Sequence, residues 1–483
     1  MKKADYFLLS ALFLLLPAGC DSRDDLSVNR EYRLDFSSDT VRFDTLFSTV
    51  SSATASFMVY NNSNLNCRSL EVSLAGGDSS PFRINVDGEG GTTVSGLEIE
   101  AGDSLFCFVT VNIPDDGQTV PFMVADSVIF RFESGLAQYV QLRACGRNAL
   151  FLHGRRITSD ETFNSNLPYV IYDSLYVAPG VTLTITPGTE LYFHQGAGLV
   201  VEGRVLAEGT SDSMIVMRGD RLDRLFEDLP YDLLSNQWAG IRLGSGSFGN
   251  LFSYCDIHGG EYGIVADSSG VDSLKFGMAS SIVHNVSGNG IHTVGSRITV
   301  ANSQITNAGG HCVEIVGGSA EFNFCTIAGF PLWWAGGAPV SLSNSLDGSF
   351  SPLIKADFRN CIITGYHKES ITGILHDSIP GFPAGTVSSY SVSHSLLMTS
   401  DTLNSRFEKV VFEQIGDEGS GLANFHNNGL VDSYRSVFRL DSLSKARGIA
   451  DTLSAKLWPA DLAGVRRPLH GADAGCFQFE PSN

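Results

Sequence analysis

The sequence predicts an all-β protein in which a β-sandwich precedes a right-handed parallel β-helix, and three observations support this fold class. Glycine is abundant, at 51 of 483 residues, and only 17% of the residues are charged, a composition that favours turn-rich β structure. Short segments of β-branched and aromatic residues dominate before residue 148. Between residues 252 and 366 the chain repeats itself at a spacing typical of a solenoid.

The first twenty residues resemble a bacterial lipoprotein signal. Met1-Lys2-Lys3 precede an apolar run from Tyr6 to Leu16 that is too short to span a bilayer, and small residues then precede Cys20. The resemblance implies that residues 1–19 form a signal peptide and that Cys20 carries a lipid that anchors the protein in a membrane. The alternative is an ordinary secretory signal with an incidental cysteine.

Residues 20–33 are predicted to form a flexible acidic tether. Asp21, Asp24 and Asp25 resemble the signal that sends lipoproteins of the phylum Bacteroidota to the cell surface, which implies an outer-membrane anchor with the protein facing outwards rather than into the periplasm. The net charge of −20 argues against binding to nucleic acid or to an anionic membrane surface, because either would need a basic patch. We expect a monomer.

Residues 34–148 are predicted to form a β-sandwich. Seven segments alternate apolar and polar residues between turn clusters, namely Thr40 to Phe43, Ala55 to Tyr60, Leu70 to Leu74, Phe82 to Val86, Ser104 to Ile113, Ser127 to Phe132 and Tyr139 to Ala144. The motifs Val41-Arg42-Phe43, Phe57-Met58-Val59-Tyr60-Asn61 and Gly102-Asp103-Ser104 resemble those of immunoglobulin-like domains in the spindle- and cilium-associated family. The resemblance implies a spacer that holds the following domain away from the membrane.

Residues 160–483 are predicted to form the β-helix, a pectate-lyase-like solenoid, with a C-terminal cap. The stretch from Tyr169 to Leu243, with turn signals at Pro179-Gly180 and Pro187-Gly188, resembles the first coils of Bacteroidota lipoproteins with right-handed β-helix repeats. Arg218 to Asn236 is too charged for a dry core and is predicted to leave the coil stack. The final stretch from Asp461 to Phe479 resembles the end of bacterial β-helix proteins, and we expect it to cap the open end of the solenoid.

The repeat itself consists of a small residue, any residue and an aliphatic residue. It occurs at Cys255-Asp256-Ile257, Ser280-Ser281-Ile282, Ser303-Gln304-Ile305, Cys325-Thr326-Ile327 and Cys361-Ile362-Ile363. We expect Ile257, Ile282, Ile305 and Ile327 to form one inward column, with Asp256 and Gln304 turned to solvent.

The eight cysteines other than Cys20 are predicted to be buried thiols rather than a disulfide framework. The cysteines of the repeats occupy equivalent apolar positions without metal-ligand spacing. One disulfide bridge among Cys67, Cys107 and Cys145 remains an alternative, because the thiols of an exported protein can be oxidised.

Asp256, His258, Glu261, His284, His292 and His311 are the residues with metal-ligand chemistry in the repeats. Acidic and imidazole groups on one face of the stack could bind a metal, but the coil period sets their spacing, and solvated surface residues are the favoured interpretation. Trp333 and Trp334 are candidates for an aromatic platform under sugar rings. The other interpretation is that these side chains pack their loop onto the coil stack.

Asp followed by Ser or Thr and then an aliphatic residue or Met is a dense pattern that resembles the O-glycosylation motif of exported Bacteroidota proteins. The candidate modified residues are Thr40, Thr45, Ser104, Ser127, Ser174, Ser213, Ser273, Ser378, Thr402, Ser442 and Thr452. A turn aspartate leading into a strand explains the same pattern, and both readings are compatible.

The leading functional hypothesis is a non-catalytic, lipid-anchored protein whose β-helix presents a face that binds glycan or protein, without cofactor or metal. No catalytic residue is predicted, because the Asn-Thr-Asp, Asp-Asp and Arg-Ile-Lys set of polygalacturonase-like enzymes is missing from the coils. The alternative is a polysaccharide lyase or glycoside hydrolase with an unrecognised site. An enzyme should have carboxylates with a Lys, Arg or His converging in a groove on three or more adjacent coils, whereas a scaffold should not.

Overall fold

The computed structural model describes residue 31 and residues 33–331, 336–378, 381, 388–416, 420–426 and 438–481. Their regular secondary structure is almost entirely β-strand, and the chain divides into two compact units, Met1–Arg147 and Asn148–Asn483. The predicted fold class, an all-β chain with a sandwich and then a parallel β-helix, is confirmed.

The first unit is built from ten strands. They are β1 (Asp35–Phe36), β2 (Thr40–Phe47), β3 (Ala55–Tyr60), β4 (Cys67–Leu74), β5 (Phe82–Val86), β6 (Glu89–Gly91), β7 (Thr93–Ile99), β8 (Ser104–Val111), β9 (Phe122–Arg131) and β10 (Ala137–Arg147). Two five-stranded sheets result, in the orders β1-β3-β8-β5-β6 and β2-β10-β9-β4-β7. Their facing side chains, such as Phe57, Phe82 and Phe130, share one buried core. Strand β7 is absent from the seven predicted segments because Gly96, at φ +77°, interrupts its apolar alternation.

The first strand of the second unit begins at Leu150, ten residues before the predicted start of the β-helix. Its strands are β11 (Leu150–His153), β12 (Arg156–Ile157), β13 (Glu161–Phe163), β14 (Tyr169–Tyr172), β15 (Leu175–Val177), β16 (Thr182–Ile185), β17 (Glu190–Phe193), β18 (Gly198–Val201), β19 (Arg204–Glu208), β20 (Ile215–Gly219), β21 (Arg224–Phe226), β22 (Leu229–Pro230), β23 (Gly240–Leu243), β24 (Asn250–Ser253), β25 (Cys255–His258), β26 (Ile264–Ala266), β27 (Gly270–Ala279), β28 (Ile282–Val286), β29 (Ile291–Ala301), β30 (Gln304–Ala308), β31 (Val313–Asn323), β32 (Thr326–Gly329), β33 (Val340–Ser343), β34 (Ser345–Leu346), β35 (Ser349–Phe350), β36 (Leu353–Arg359), β37 (Ile362–Gly365), β38 (Ile371–Thr372), β39 (Ser388–Ser393), β40 (Leu396–Met398), β41 (Phe407–Glu408) and β42 (Val411–Glu413). One short helix, α1 (Thr452–Leu457), follows them.

Apart from the antiparallel hairpins β21-β22 and β34-β35, the strands of the second unit stack in three parallel columns. The first column is the eleven-stranded sheet that runs from β11 through β25, β28 and β30 to β42. The second and third columns together make the seventeen-stranded sheet. The second column contains β12, β15, β18, β23, β26, β33 and β38. The third column contains β13, β16, β19, β24, β27, β36, β39 and β41. Strands β29 and β31 are long enough to serve both. Each coil therefore contributes one strand to each side of a parallel β-helix.

The inward column of the first sheet contains Val283 where Ile282 was expected. Ile257 pairs with Val283, which pairs with Ile305 and then with Ile327. Ile282 pairs with Asp256 and Gln304 and lies on the outer face. Side chains alternate along a strand, so a register error of one residue is enough to predict an inward position for Ile282, which faces outwards.

A ladder of small residues lines the corner where six of the first-column strands, β25, β28, β30, β32, β37 and β40, begin. Its members are Cys255, Ser281, Ser303, Cys325, Cys361 and Ser395, all fully buried. The hydroxyls of Ser281 and Ser303 accept hydrogen bonds from the backbone N–H groups of Cys255 and Ser281, at 3.0 and 3.1 Å, so each coil is bonded to the coil before it. The residues that precede the ladder, such as Asn302 and Asn360, have positive φ, which asparagine tolerates well.

The described part of the C-terminal segment, which is predicted to cap the solenoid, contacts the outer face of the first column. Cys476 N–H donates to Thr326 Oγ1 at 3.1 Å, and Gly475 N–H donates to the Asn360 carbonyl at 2.8 Å. Leu462, Cys476 and Phe477 pack against Ile282. Gln304 lies between Ile282 and Thr326 and is fully buried, so the prediction that it faces solvent is wrong.

Arg467 fastens this segment to the coils. Its guanidinium donates to Asn302 Oδ1 at 2.7 Å and lies 4.1 Å from the ring centroid of Phe324. Burial lowers the pKa of Arg467 to about 10. Asp461 accepts the N–H groups of Val465 and Gln478, so it shapes a turn that presents Arg467 to the stack.

The eight described cysteines are free thiols, and only Cys145 is not buried. Desolvation raises the pKa of Cys107 and of Cys312 to about 12, which keeps both protonated and unreactive. Among the described residues, no helix has the length and apolar character that crossing a bilayer requires.

Candidate functional site

A groove lies on the outer side of the second strand column. It has a volume of about 550 Å³, and its polar lining residues are Ser174, Arg242, Glu261, Tyr262, Asp267, Asn289, His292 and Glu314. We call it the column-two groove.

Strand alternation places the groove residues on successive coils. Arg242 pairs with Val265, Val265 with His292, and His292 with Glu314, so these four side chains form one outward row. Their sequence neighbours point inwards into the core, as Ile241, Ile264, Ile291 and Val313. The buried column thus fixes the height and order of the groove residues.

Glycines allow the coils to approach closely where the groove strands begin. A Cβ on Gly263 would lie 2.2 Å from the carbonyl oxygen of Gly290, and a Cβ on Gly288 would lie 2.7 Å from the ring of Tyr262. Both distances are far shorter than van der Waals contact. The Tyr262 ring therefore occupies space that a side chain at position 288 would need, which glycine leaves free.

Glu314 is held in the groove by two hydrogen bonds. Its Oε2 accepts hydrogen bonds from Asn289 Nδ2 at 2.6 Å and from His292 Nδ1 at 2.7 Å. The hydrogen bond from His292 is the main reason that the pKa of Glu314 lies below its ordinary value, so this carboxylate is ionised at neutral pH. An ionised carboxylate only accepts, and His292 must carry its proton on Nδ1, which leaves Nε2 for a ligand.

The groove also contains an ion pair and the carboxylate of Glu261. Arg242 Nε donates to Asp267 Oδ2 at 3.0 Å, and both side chains are accessible to solvent. Glu261 is exposed next to Tyr262. Carboxylates, a histidine and an arginine therefore lie together on four adjacent coils, which is the arrangement expected of the alternative function, a polysaccharide-active enzyme.

The six residues considered for metal binding divide into separate places. Glu261 and His292 line the column-two groove. His311 lies at a coil corner, where its Nδ1 is 2.7 Å from the carbonyl oxygen of Ala338. Asp256, His258 and His284 come together on the outer face of the first column.

The expectation that these last residues are solvated is wrong for the histidines, since His258 and His284 are only 5% and 6% exposed. Asp256 Oδ1 lies 3.0 Å from His258 Nδ1 and 3.1 Å from His284 Nε2, and the two imidazole rings stack at 4.5 Å. Asp232, from the charged excursion, lies 3.0 Å from His258 Nε2 and pairs with Arg218. The excursion does leave the stack, although Arg218 and Gly219 still belong to strand β20, and its Asp232 returns to this face.

Charge neighbours determine the protonation of this cluster. Burial opposes the charge on His258, but the carboxylates of Asp256 and Asp232 outweigh it and raise its pKa to about 9. Burial and the neighbouring His258 lower the pKa of His284. Burial acts to raise the pKa of Asp232, yet the hydrogen bond from His258 and the charge of Arg218 bring it to about 2.

Sequence reasoning missed Arg218, Asp232, Arg242, Asp267, Asn289 and Glu314. The sequence did contain a register signal for Glu314. Like Val265 and His292, Glu314 follows the aliphatic residue that starts a second-column strand. No comparable signal existed for Asp232, since its place depends on how the excursion folds.

The other predicted site residues stand as follows. Cys20, Trp333 and Trp334 lie outside the described residues. The eleven candidate O-glycosylation residues all have described positions, and none of their side chains is buried.

No known protein family and no curated protein matches the chain. Among solved structures, the chain is similar to a family 123 glycoside hydrolase from Clostridium perfringens, with 10% identity and a TM-score of 0.19, over 25% of this chain and 30% of that one. The chain thus spans less than a third of that enzyme. It is also similar to an ASH / PapD-like domain of human CEP192, with 11% identity and a TM-score of 0.16, over 24% of this chain and 84% of that one. A third similar structure is the catalytic domain of a GH87 alpha-1,3-glucanase in complex with nigerose, with 9% identity and a TM-score of 0.17, over 76% of this chain and 91% of that one.

Proposed function

We propose that the protein is a lipid-anchored, non-catalytic binding protein whose column-two groove takes a neutral or amino-sugar glycan. The observation that carries this proposal is the row of Arg242, His292 and Glu314 beside Tyr262 and Asn289 in one groove. Sugar hydroxyls both donate and accept, and they suit a groove with fixed acceptors, amide groups and an aromatic ring.

The negative charge of the protein and of the groove limits the class of glycan that can bind. The chain has a net charge of −20, and three carboxylates, those of Glu261, Asp267 and Glu314, line the groove. An acidic polysaccharide would be repelled by both, whereas a neutral or positively charged sugar would not.

The lowered pKa of Glu314 excludes this residue as the proton donor of a glycoside hydrolase. Glycoside hydrolysis needs a protonated acid beside the scissile bond, with its pKa raised. Glu314 has a lowered pKa and is held by Asn289 and His292, so it accepts hydrogen bonds but does not supply a proton.

Glu314→Gln and His292→Ala are each expected to weaken binding of a neutral or amino-sugar oligosaccharide by about 10- to 100-fold, since each removes a hydrogen bond that involves a charged group. Calorimetric titration with a panel of oligosaccharides measures this. Binding by the parent protein should persist as the pH falls to the ordinary glutamate range and disappear only below it, because the pKa of Glu314 is lowered.

Glu321→Ala is the matched control for these variants, because Glu321 pairs with Lys355 on the third column, outside the groove. Its affinity should equal that of the parent protein. Failure of the parent to bind any neutral or amino-sugar oligosaccharide would refute the proposal, as would equal affinity in all the variants.

A polysaccharide-active enzyme is the second candidate, favoured by the convergence of Glu261, Asp267 and Glu314 on adjacent coils. The same panel separates the two functions. New reducing ends would indicate a hydrolase and unsaturated products a lyase, and loss of those products in Glu261→Gln or Asp267→Asn would assign the acid or base.

The lipid anchor rests on the sequence from Leu16 to Cys20. Cys20→Ser is expected to leave the protein unlipidated and released from membranes without detergent. Fractionation of cells that produce the variant measures this, and normal membrane retention would mean that the anchor lies elsewhere.

The remaining parts of the proposal concern the first unit and the surface. We propose that the sandwich is an immunoglobulin-like spacer between an outer-membrane anchor and the β-helix. We also propose O-glycosylation at some of the eleven exposed or half-exposed Asp-Ser/Thr sites.

A further inference from the structure

We propose that Asp256, His258 and His284 bind one divalent transition-metal ion of the Zn²⁺ type, with Asp232 orienting His258. This site is separate from the column-two groove, because its residues lie on the outer face of the first strand column. The proposal therefore stands or falls independently of glycan binding.

The distances between the candidate ligand atoms suit a tetrahedral ion. With Zn–N and Zn–O bonds of about 2.0–2.1 Å, neighbouring ligand atoms in a tetrahedron lie about 3.3 Å apart. Asp256 Oδ1 lies 3.0 Å from His258 Nδ1 and 3.1 Å from His284 Nε2. The three ligand atoms are all within 4.8 Å of one another, so small movements would complete three corners.

The fold supplies these ligands on a rigid base. Asp256 and His258 stand on strand β25, two residues apart and on the same face, and His284 stands beside His258 on the next strand, β28. Ile257 and Val283, their inward neighbours, are fully buried. A site built on two packed strands is better positioned than one built on loops.

Asp232 completes a carboxylate–histidine pair. It lies 3.0 Å from His258 Nε2, so in the metal-bound state it would accept the proton of that nitrogen, while Nδ1, which donates to Asp256 in the metal-free protein, would release its proton to solvent and become the ligand atom. Metal-bound histidines usually donate their second N–H in this way. Arg218, paired with Asp232, balances the charge of that carboxylate.

The combination of two imidazoles with one carboxylate selects the metal class. Zn²⁺, Co²⁺ and Fe²⁺ accept this mixed set, whereas Ca²⁺ and Mg²⁺ prefer oxygen ligands alone. The rival reading is a doubly protonated His258 between two carboxylates with no metal. In that case the nitrogens of His258 and His284 would carry protons where an ion would otherwise sit.

The test is a calorimetric titration of the full-length protein with Zn²⁺ after removal of metals by a chelator. We expect one ion per chain, and a higher melting temperature in its presence. His284→Ala and Asp256→Asn should abolish stoichiometric binding. Asp232→Asn should weaken it by about 10- to 100-fold, the usual effect of losing the carboxylate behind a histidine ligand.

His194→Ala is the matched control, because His194 also pairs with an aspartate, Asp220, but is exposed and outside the cluster. It should bind Zn²⁺ like the parent. Circular dichroism identifies any variant that fails to fold, and Asp256→Asn, which preserves side-chain shape, then decides the matter. Absence of stoichiometric Zn²⁺ binding by the parent, or unchanged binding in the folded ligand variants, would overturn the proposal in favour of the protonated pair.

Discussion

Ile305→Ala is expected to lower the free energy of unfolding by about 2–5 kcal/mol, through lost burial and the cavity that remains. Ile305 is fully buried between Val283 and Ile327, so neighbours above and below cannot collapse into the space without disturbing their own coils. Denaturant midpoints with unchanged slopes measure the effect.

Arg297→Ala is the control for Ile305→Ala, because Arg297 is exposed on strand β29 next to the buried Ile298. Its cost should stay within about 0.5 kcal/mol. Double replacement of Val283 and Ile305, which are in contact, should be non-additive, whereas Ile257 and Ile363, several coils apart, should give nearly additive effects. Equal sensitivity at Arg297 and Ile305 would contradict the observed register.

Gly263→Ala is expected to destabilise the protein by about 1–3 kcal/mol, because the added methyl group would overpack the coil corner. Its Cβ would lie 2.2 Å from the Gly290 carbonyl oxygen and 2.5 Å from Val283 Cγ1. The carbonyl belongs to the backbone and accepts the N–H of Ile264, so it cannot move away without loss of an inter-coil hydrogen bond. Thermal unfolding and glycan titration should both be affected, since Tyr262 precedes this glycine in the groove.

Gly246→Ala tests whether that effect is steric. A Cβ at Gly246 would meet no atom within 4 Å. Its stability should therefore equal or slightly exceed that of the parent protein, because alanine reduces the freedom of the unfolded chain. If both glycine variants lost stability equally, close approach of the coils would not be the cause.

The sequence by itself determined the class of fold and much of its core. Small-x-aliphatic steps recur because each coil must present the same inward positions to its neighbours, and glycine and asparagine recur because the corners need tight or left-handed backbone. These constraints are local and repeat with the coil, so one chain displays them several times. The charged excursion was also readable, because its side chains could not be buried in a dry core.

The tertiary structure decided the register, the fate of the C-terminal segment and the composition of both sites. Ile282 and Val283 are both apolar, and only strand pairing selects Val283 for the inward column. Asp232 reaches His258, and Cys476 reaches Thr326, through contacts between segments far apart in the chain. Such contacts depend on where an excursion or a terminal segment returns to the stack. The period of the repeat does not encode this position, because it specifies the neighbours within the coils but not what covers their outer face.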